Sequence, residues 1–333
     1  MSGSFRALVL DREDGRTVWR IEELPVTALP EGEVLVEVEY SSLNYKDGLA
    51  ITGAGKIIRE FPFVPGIDFA GRVRESASPD YRPGDRVLLT GWGVGERHWG
   101  GLAELARVRA EWLVPLPEGL DPKRAMAIGT AGFTAMLCVM ALGEQGVEPE
   151  AGDVLVTGAG GGVGSIAIAL LARRGYRVVA VTGRPELADH LRSLGAREVI
   201  PRQEVLEAGK APLASQRWAG AVDTVGGAML ASLLKALRYG GTATACGLAG
   251  GAELHTTVFP FILRGVKLIG VDSVYCPRDR RLAAWKRLAA ELDPALLDQI
   301  TTVVPLEKAP EIAQGFLEGK IRGRVVVAIG EEN

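Results

Sequence analysis

Val154-Leu155-Val156-Thr157-Gly158-Ala159-Gly160-Gly161-Gly162-Val163-Gly164 is the stretch from which the fold can be read. Its apolar start is a buried strand, its glycines make a turn, and the following SIAIALLARRG has the composition of an apolar helix. Glycines let the backbone approach a ligand closely. The helix start offers free N–H groups and a partial positive charge, which suit a pyrophosphate. A glycine motif alone is weak evidence. Here the strand before it, the helix after it and a second strand over 176–182 supply the context of a dinucleotide fingerprint. The competing reading is a glycine turn with a purely structural role.

Downstream, strands alternate with helices. Strands are expected over 154–156, 176–182, 199–200, 219–225, 241–246 and 266–271, and helices over 186–194 and 229–238. Such alternation implies an α/β fold with a doubly wound parallel sheet. Upstream the pattern differs. An apolar run covers 5–10, and Val34, Val36, Val38 and Tyr40 alternate with Glu37 and Glu39. Pro83-Gly84-Asp85 is a turn before a strand over 86–89, so this part reads as a compact β domain. The tail carries helices over 281–291 and 309–318 and a closing strand over 324–329. A length of 333 residues suits two domains.

Bulk properties exclude several classes. The net charge of −3 leaves no nucleic-acid footprint. Cys138, Cys246 and Cys276 are odd in number and far apart, so no disulfide framework is implied and a reducing cytoplasm fits. The start, MSGSFRALVL, is not a signal peptide. The uncharged segment over 125–143 is long enough to span a bilayer. Glycines and threonines dilute it and no second such segment exists, so a buried interdomain helix is expected and no membrane partner.

The end of the second strand bears on the cofactor. NAD-selective domains place a carboxylate there for the ribose hydroxyls. This chain has Val181-Thr182-Gly183-Arg184, with no carboxylate but a hydroxyl and a guanidinium. An arginine fork suits a 2′-phosphate, and Arg202 after the next strand offers a second clamp. This favours NADPH. The alternative leaves Arg184 as a solvated residue at a helix start. Zinc requires grouped Cys and His ligands. The histidines number three, His98, His190 and His255, and form no such pattern, so no metal is expected. His98 lies in a loop, with a structural role favoured over one toward substrate.

Several blocks together carry a family resemblance. Ser41-Ser42-Leu43-Asn44-Tyr45-Lys46-Asp47, Pro65-Gly66-Ile67-Asp68-Phe69-Ala70-Gly71, Leu89-Thr90-Gly91-Trp92-Gly93-Val94-Gly95, Gly129-Thr130-Ala131-Gly132-Phe133-Thr134-Ala135-Met136, Ala245-Cys246-Gly247-Leu248-Ala249-Gly250-Gly251 and Pro260-Phe261-Ile262-Leu263-Arg264-Gly265-Val266 span nearly the whole chain. The chain resembles the acryloyl-CoA reductase branch, often labelled quinone oxidoreductase-like, of the zinc-independent medium-chain dehydrogenase/reductase superfamily. Zinc-dependent relatives read Gly-His-Glu where this chain has Gly66-Ile67-Asp68, and their cysteine ligand falls near Asn44. Both ligands are therefore missing.

The resemblance implies a GroES-like β domain over 1–124 and 274–333 and a Rossmann domain over 125–273, with nicotinamide and substrate held between them. It implies a homodimer joined through an edge strand over 266–272. It places Tyr45, Gly160, Gly161, Gly162, Val163, Thr182, Gly183, Arg184 and Arg202 at NADPH, with Leu248, Ile262, Ser273 and Arg324 also assigned. For those last four, ordinary packing or a C-terminal salt bridge is the competing role. The implied activity is NADPH-dependent reduction of the C=C bond of acryloyl-CoA, a 2-enoyl-CoA, to the saturated acyl-CoA. The alternative is an NADPH:quinone or enone oxidoreductase. Charge building on the thioester oxygen needs a hydrogen-bond donor, and the α-carbon then needs a proton. Tyr45, on a loop, is the first candidate acid, with Asn44 as a donor and Asp68 as an orienting group. Tyr45 packing against the cofactor is the alternative role.

Overall fold

The computed structural model describes residues 3–330. Its contacts divide the chain into two units. One holds the chain up to Thr130, Val274–Ala289 and the part from Asp293 on. The other holds Ala131–Ser273 and Ala290–Leu292.

The second unit is built on six parallel strands. In spatial order they are Ala196–Pro201, Arg177–Thr182, Asp153–Val156, Trp218–Asp223, Leu237–Ala245 and Lys267–Gly270. Numbered along the chain this is 3-2-1-4-5-6, the doubly wound Rossmann order. The strands are runs of Val, Ile, Leu and Ala because both sheet faces are covered. Leu155, Val179, Val181, Ile200, Trp218, Leu233 and Leu234 form the core on one side. The helix expected over 186–194 is a 3₁₀ turn, Pro185–Leu187, running into Ala188–Ser193. Pro185 suits such a start because it has no N–H to satisfy.

The first unit centres on an antiparallel sheet. Strand Val34–Leu43 pairs with Asp68–Ser76 on one side and with Arg324–Ala328 on the other. Its alternation buries Val34, Val36 and Val38 and exposes Glu37. Phe69, Leu89, Val325 and Val327 complete that core. The register sets Ser41 opposite Phe69 and Leu43 opposite Val325. Ser42 and Asn44 are thereby brought beside Asp68 and Arg324, from distant parts of the sequence.

Two features of the fold matter for function, the first of them a departure from the sequence reading. Tyr45 does not sit on a loop. It is the first residue of a helix, Tyr45–Thr52, which follows the N-cap Asn44 and ends at left-handed Gly53. The apolar segment lies in the helix Pro122–Glu144, whose apolar stretch is almost wholly buried, as expected of a core helix. That helix is broken at Gly129, where φ is 50° and ψ is −159°.

Candidate functional site

In the first unit a polar cluster lies in the interior. Asp68 is fully buried, and its Oδ2 accepts from Ser42 Oγ (2.7 Å), Thr130 N (2.8 Å) and Asn44 Nδ2 (3.0 Å). Its Oδ1 accepts from Thr130 Oγ1. Thr130 reaches Asp68 because Gly129 breaks the helix and turns the next amide inward. A Cβ at position 129 would stand 2.6 Å from both Arg324 Nη2 and Asp68 Oδ2.

Arg324 closes the cluster. It is 2% exposed and donates to Ala127 O (2.8 Å), Ser42 Oγ (3.0 Å) and Asn44 Oδ1 (3.1 Å). Its guanidinium is committed inside the protein fold, which is the packing role that competed with cofactor contact. Asn44 is likewise enclosed. Its amide nitrogen faces Asp68, Ser42 (3.2 Å) and Asp47 (3.3 Å), so its hydrogens are directed inward. The geometry makes Asn44 an organiser of the cluster, and the donor role expected of it toward substrate has no hydrogen left over. Asp68 accepts one of the Asn44 amide hydrogens.

Asp47, which the sequence reading passed over, is the second buried carboxylate. Its Oδ2 accepts from Asn44 N (2.9 Å) and its Oδ1 from Ile67 N (3.0 Å). Burial, and then the neighbouring charge of Asp68, pushes its pKa up to about 7. Burial draws Arg324 down, against the two carboxylates that hold it charged. The clue in the sequence was the Asn44-x-x-Asp47 spacing, in which a side chain three residues into a helix reaches back to the N-cap amide.

At the edge of this cluster Tyr45 is 41% exposed, and among the described residues nothing hydrogen-bonds its hydroxyl. A phenol in that state is available to a ligand. The next residue, Lys46, is paired with Glu96 at 2.8 Å, which ties the helix to the loop holding His98. His98 itself bonds Arg107 O at 2.7 Å and stacks edge-on against Trp112. Its pKa is lowered, chiefly by burial. It therefore has a structural role. Ile67 is core, and Asn44 is hydrogen-bonded, at the two positions where zinc-dependent relatives carry ligands.

The second unit carries the glycine turn. Gly158 has φ +58°, and a Cβ there would meet Thr224 Oγ1 at 2.1 Å. A Cβ at Gly164 would meet Gly158 O at 2.5 Å, so this glycine lets the helix Gly162–Arg173 lie close against the turn. The helix has Gly161 as N-cap with no side chain capping it, so its first N–H groups are left for a ligand. Thr157 Oγ1 donates to buried Asp223 Oδ1 (2.7 Å) and receives Thr224 N (3.0 Å), pinning the turn to the neighbouring strand.

The predicted 2′-phosphate residues come together. Arg184 N donates to Thr182 Oγ1 (3.0 Å), and its guanidinium lies 3.4 Å from Gly160 O. Arg202 is the first residue of the helix Arg202–Ala208, and its side chain passes 3.3 Å from where a Gly183 Cβ would stand. Two guanidinium groups thus flank the end of the second strand, where no carboxylate intervenes. Leu248 and Ile262 are 61% and 69% exposed, and Ser273 follows the edge strand in a bend. Leu248 O accepts from Gly251 N, and Ile262 N donates to Val258 O, both of them local bonds.

Residues 30–118 match the alcohol dehydrogenase GroES-like domain, and residues 162–290 match the zinc-binding dehydrogenase model. The chain is 56% identical to the probable acrylyl-CoA reductase AcuI of Escherichia coli (strain K12), covering 98% of this chain and 100% of that one. The chain belongs to the acrylyl-CoA reductase branch of the medium-chain dehydrogenase/reductase superfamily. AcuI of Ruegeria pomeroyi, named acrylyl-CoA reductase, is also 56% identical, over 98% of this chain and 99% of that one. YhfP of Bacillus subtilis (strain 168), assigned by name only as a quinone oxidoreductase, is 48% identical over 99% of this chain and all of its own. The crystal structure of E. coli K-12 YhdH with bound NADPH superposes with a TM-score of 0.95 at 56% identity, covering 97% and 100% of the two chains. That of B. subtilis yhfP with NAD bound also gives 0.95, at 48% identity, covering 98% and 100%.

Proposed function

We propose that this protein reduces the C=C bond of acryloyl-CoA, a 2-enoyl-CoA, to the saturated acyl-CoA with NADPH. The reading is carried by the paired guanidinium groups of Arg184 and Arg202 at the end of the second strand, on a chain 56% identical to acrylyl-CoA reductases. The residues fit the cofactor. The uncapped helix start at Gly161 and Gly162 takes the pyrophosphate, and Arg184 with Arg202 takes the 2′-phosphate, where Thr182 and Gly183 leave room. NADPH supplies the hydride.

This chain's own residues hold and orient. Tyr45 offers an exposed phenol at a helix start, to pack against the nicotinamide and hydrogen-bond it. Asp68, Asn44, Ser42 and Arg324 make the floor beneath it rigid. The remote CoA moiety provides binding energy that positions the alkene.

The quinone or enone reading has the likeness to YhfP in its favour. Steady-state NADPH oxidation with acryloyl-CoA, crotonyl-CoA and a benzoquinone separates the two. A higher kcat/KM for acryloyl-CoA supports the first reading, and a higher value for the quinone replaces it with the second.

The protein acts in the cytoplasm as a homodimer. Strand Lys267–Gly270 is a sheet edge, and Val258, Phe259, Ile262 and Leu263 before it are exposed apolar residues.

A further inference from the structure

We propose that Asp47 is a positioning residue for the reduction: its carboxylate ties the amide of Asn44 to the amide of Ile67 and so fixes where Tyr45 stands. The inference rests on the reading that Tyr45 lies beside the nicotinamide.

Tyr45 is the first residue of its helix, so its direction is set by how that first turn is held. Asp47 holds it from inside, at 1% exposure. One oxygen takes Asn44 N, just before Tyr45. The other takes Ile67 N, just before Asp68. The far anchor is stiff. Gly66 has φ +109°, and a Cβ there would meet Leu102 N at 2.6 Å. A single carboxylate therefore bridges the exposed phenol's helix to the turn that leads into Asp68.

Two buried carboxylates face one guanidinium. Asp68 comes from strand Asp68–Ser76 and Arg324 from strand Arg324–Ala328. On Asp47's own helix, Lys46 is taken by Glu96. The helix Ala309–Leu317, packed across Gly48, presents Ala313 and Phe316 there, which are uncharged. With both carboxylates ionised, this interior holds one excess negative charge, and Asp47 retains a proton until about pH 7. Ionised Asp47 accepts both amides. Protonation weakens one acceptor and adds a hydrogen that needs a partner of its own. The bridge therefore tightens as Asp47 ionises.

Asp47→Asn in the full-length protein tests this. An asparagine can accept one of the two amides but turns an N–H toward the other. Wild-type kcat is expected to rise with pH through about 7 and then level, whereas Asp47→Asn lacks this limb. Its kcat falls roughly tenfold or more, because a shifted Tyr45 ring, which Tyr45→Phe would leave in place, no longer sets the nicotinamide, while the KM for acryloyl-CoA changes little. A residue needed only for stability would leave the shape of the profile intact. Coincident profiles, or a kcat within about twofold of wild type, overturn the proposal. If the variant does not fold, the wild-type Asp47 carboxyl carbon is titrated by NMR. A midpoint matching the kcat limb upholds the role, and a mismatch overturns it. The profile is read with acryloyl-CoA and with a benzoquinone. Turnover of the quinone alone refutes the substrate reading and leaves the Asp47 test standing.

Discussion

Gly129→Ala probes the step that lets Thr130 reach Asp68. Two costs add. At φ 50° and ψ −159°, Gly129 occupies a region that residues with a Cβ avoid, which costs about 1–3 kcal/mol. The new methyl would also stand 2.6 Å from Arg324 Nη2 and Asp68 Oδ2 and 2.9 Å from Ser42 Oγ. Forcing a methyl into a filled interior costs about 1–3 kcal/mol more. The expected loss is therefore about 2–6 kcal/mol, a large share of a typical folding free energy of about 5–15 kcal/mol. Gly119→Ala separates the two costs. It has φ +86° in the same unit, but nothing lies within 4 Å of its Cβ, so it carries backbone strain alone. Urea unfolding followed by tryptophan fluorescence reads both variants. Of the 6 tryptophans only Trp218 lies in the second unit, so the signal follows the first. A loss for Gly129→Ala no larger than that for Gly119→Ala would refute the claim that position 129 is filled by the cluster.

Three further outcomes are expected. Arg184→Ala should weaken NADPH binding at least roughly tenfold, the equivalent of one charge-assisted contact, and leave NADH nearly unaffected; equal losses in a titration of both cofactors would remove Arg184 from the 2′-phosphate. Tyr45→Phe should weaken NADPH binding while kcat at saturation holds; a fall in kcat of about 10²–10⁴-fold would instead make Tyr45 the proton donor. The last concerns stability against pH. Asp47 is raised from 3.8 to about 7 in the folded state, so folding favours its protonated form. Its contribution is fully present below the unfolded pKa near 4 and is lost as pH rises through about 7. Relative to Asp47→Asn, wild-type stability should fall across that window, by an amount on the order of 4 kcal/mol, and stay flat above it. A difference that rises with pH in denaturant titrations would reverse the assignment.

What was legible in the sequence was local. The glycine turn could be read because each glycine answers a requirement of the backbone within a few residues. The lack of a carboxylate after Val181 was equally visible, and Arg184 and Arg202 do gather there. The alternation over 34–40 marked the face that packs on the first unit's core. The helix Tyr45–Thr52 escaped because it is short and interrupted by Gly48, a poor helix former. The buried cluster escaped for a different reason. Ser42, Asn44, Asp68, Thr130 and Arg324 meet only through sheet register and one broken helix, and register is set by pairing that no single segment displays. Arg324 in particular opens an ordinary-looking apolar strand, and nothing beside it in the sequence distinguishes a buried guanidinium from a solvated one.

The contact between Arg324 and Asn44 also sets a timetable. The two residues are 280 positions apart in the chain. At synthesis rates of about 5–20 residues per second, tens of seconds separate the emergence of one from that of the other. During that interval Asn44, Ser42, Asp47 and Asp68 are without their cation. The Asp68 carboxylate left uncompensated resists burial, so the early strands of the first unit have reason to stay open on the ribosome. The second unit, contiguous over Ala131–Ser273 apart from a three-residue piece, is free to fold in the meantime. The glycine turn and its helix are thus synthesised well before Arg324, the residue that completes the polar cluster of the first unit.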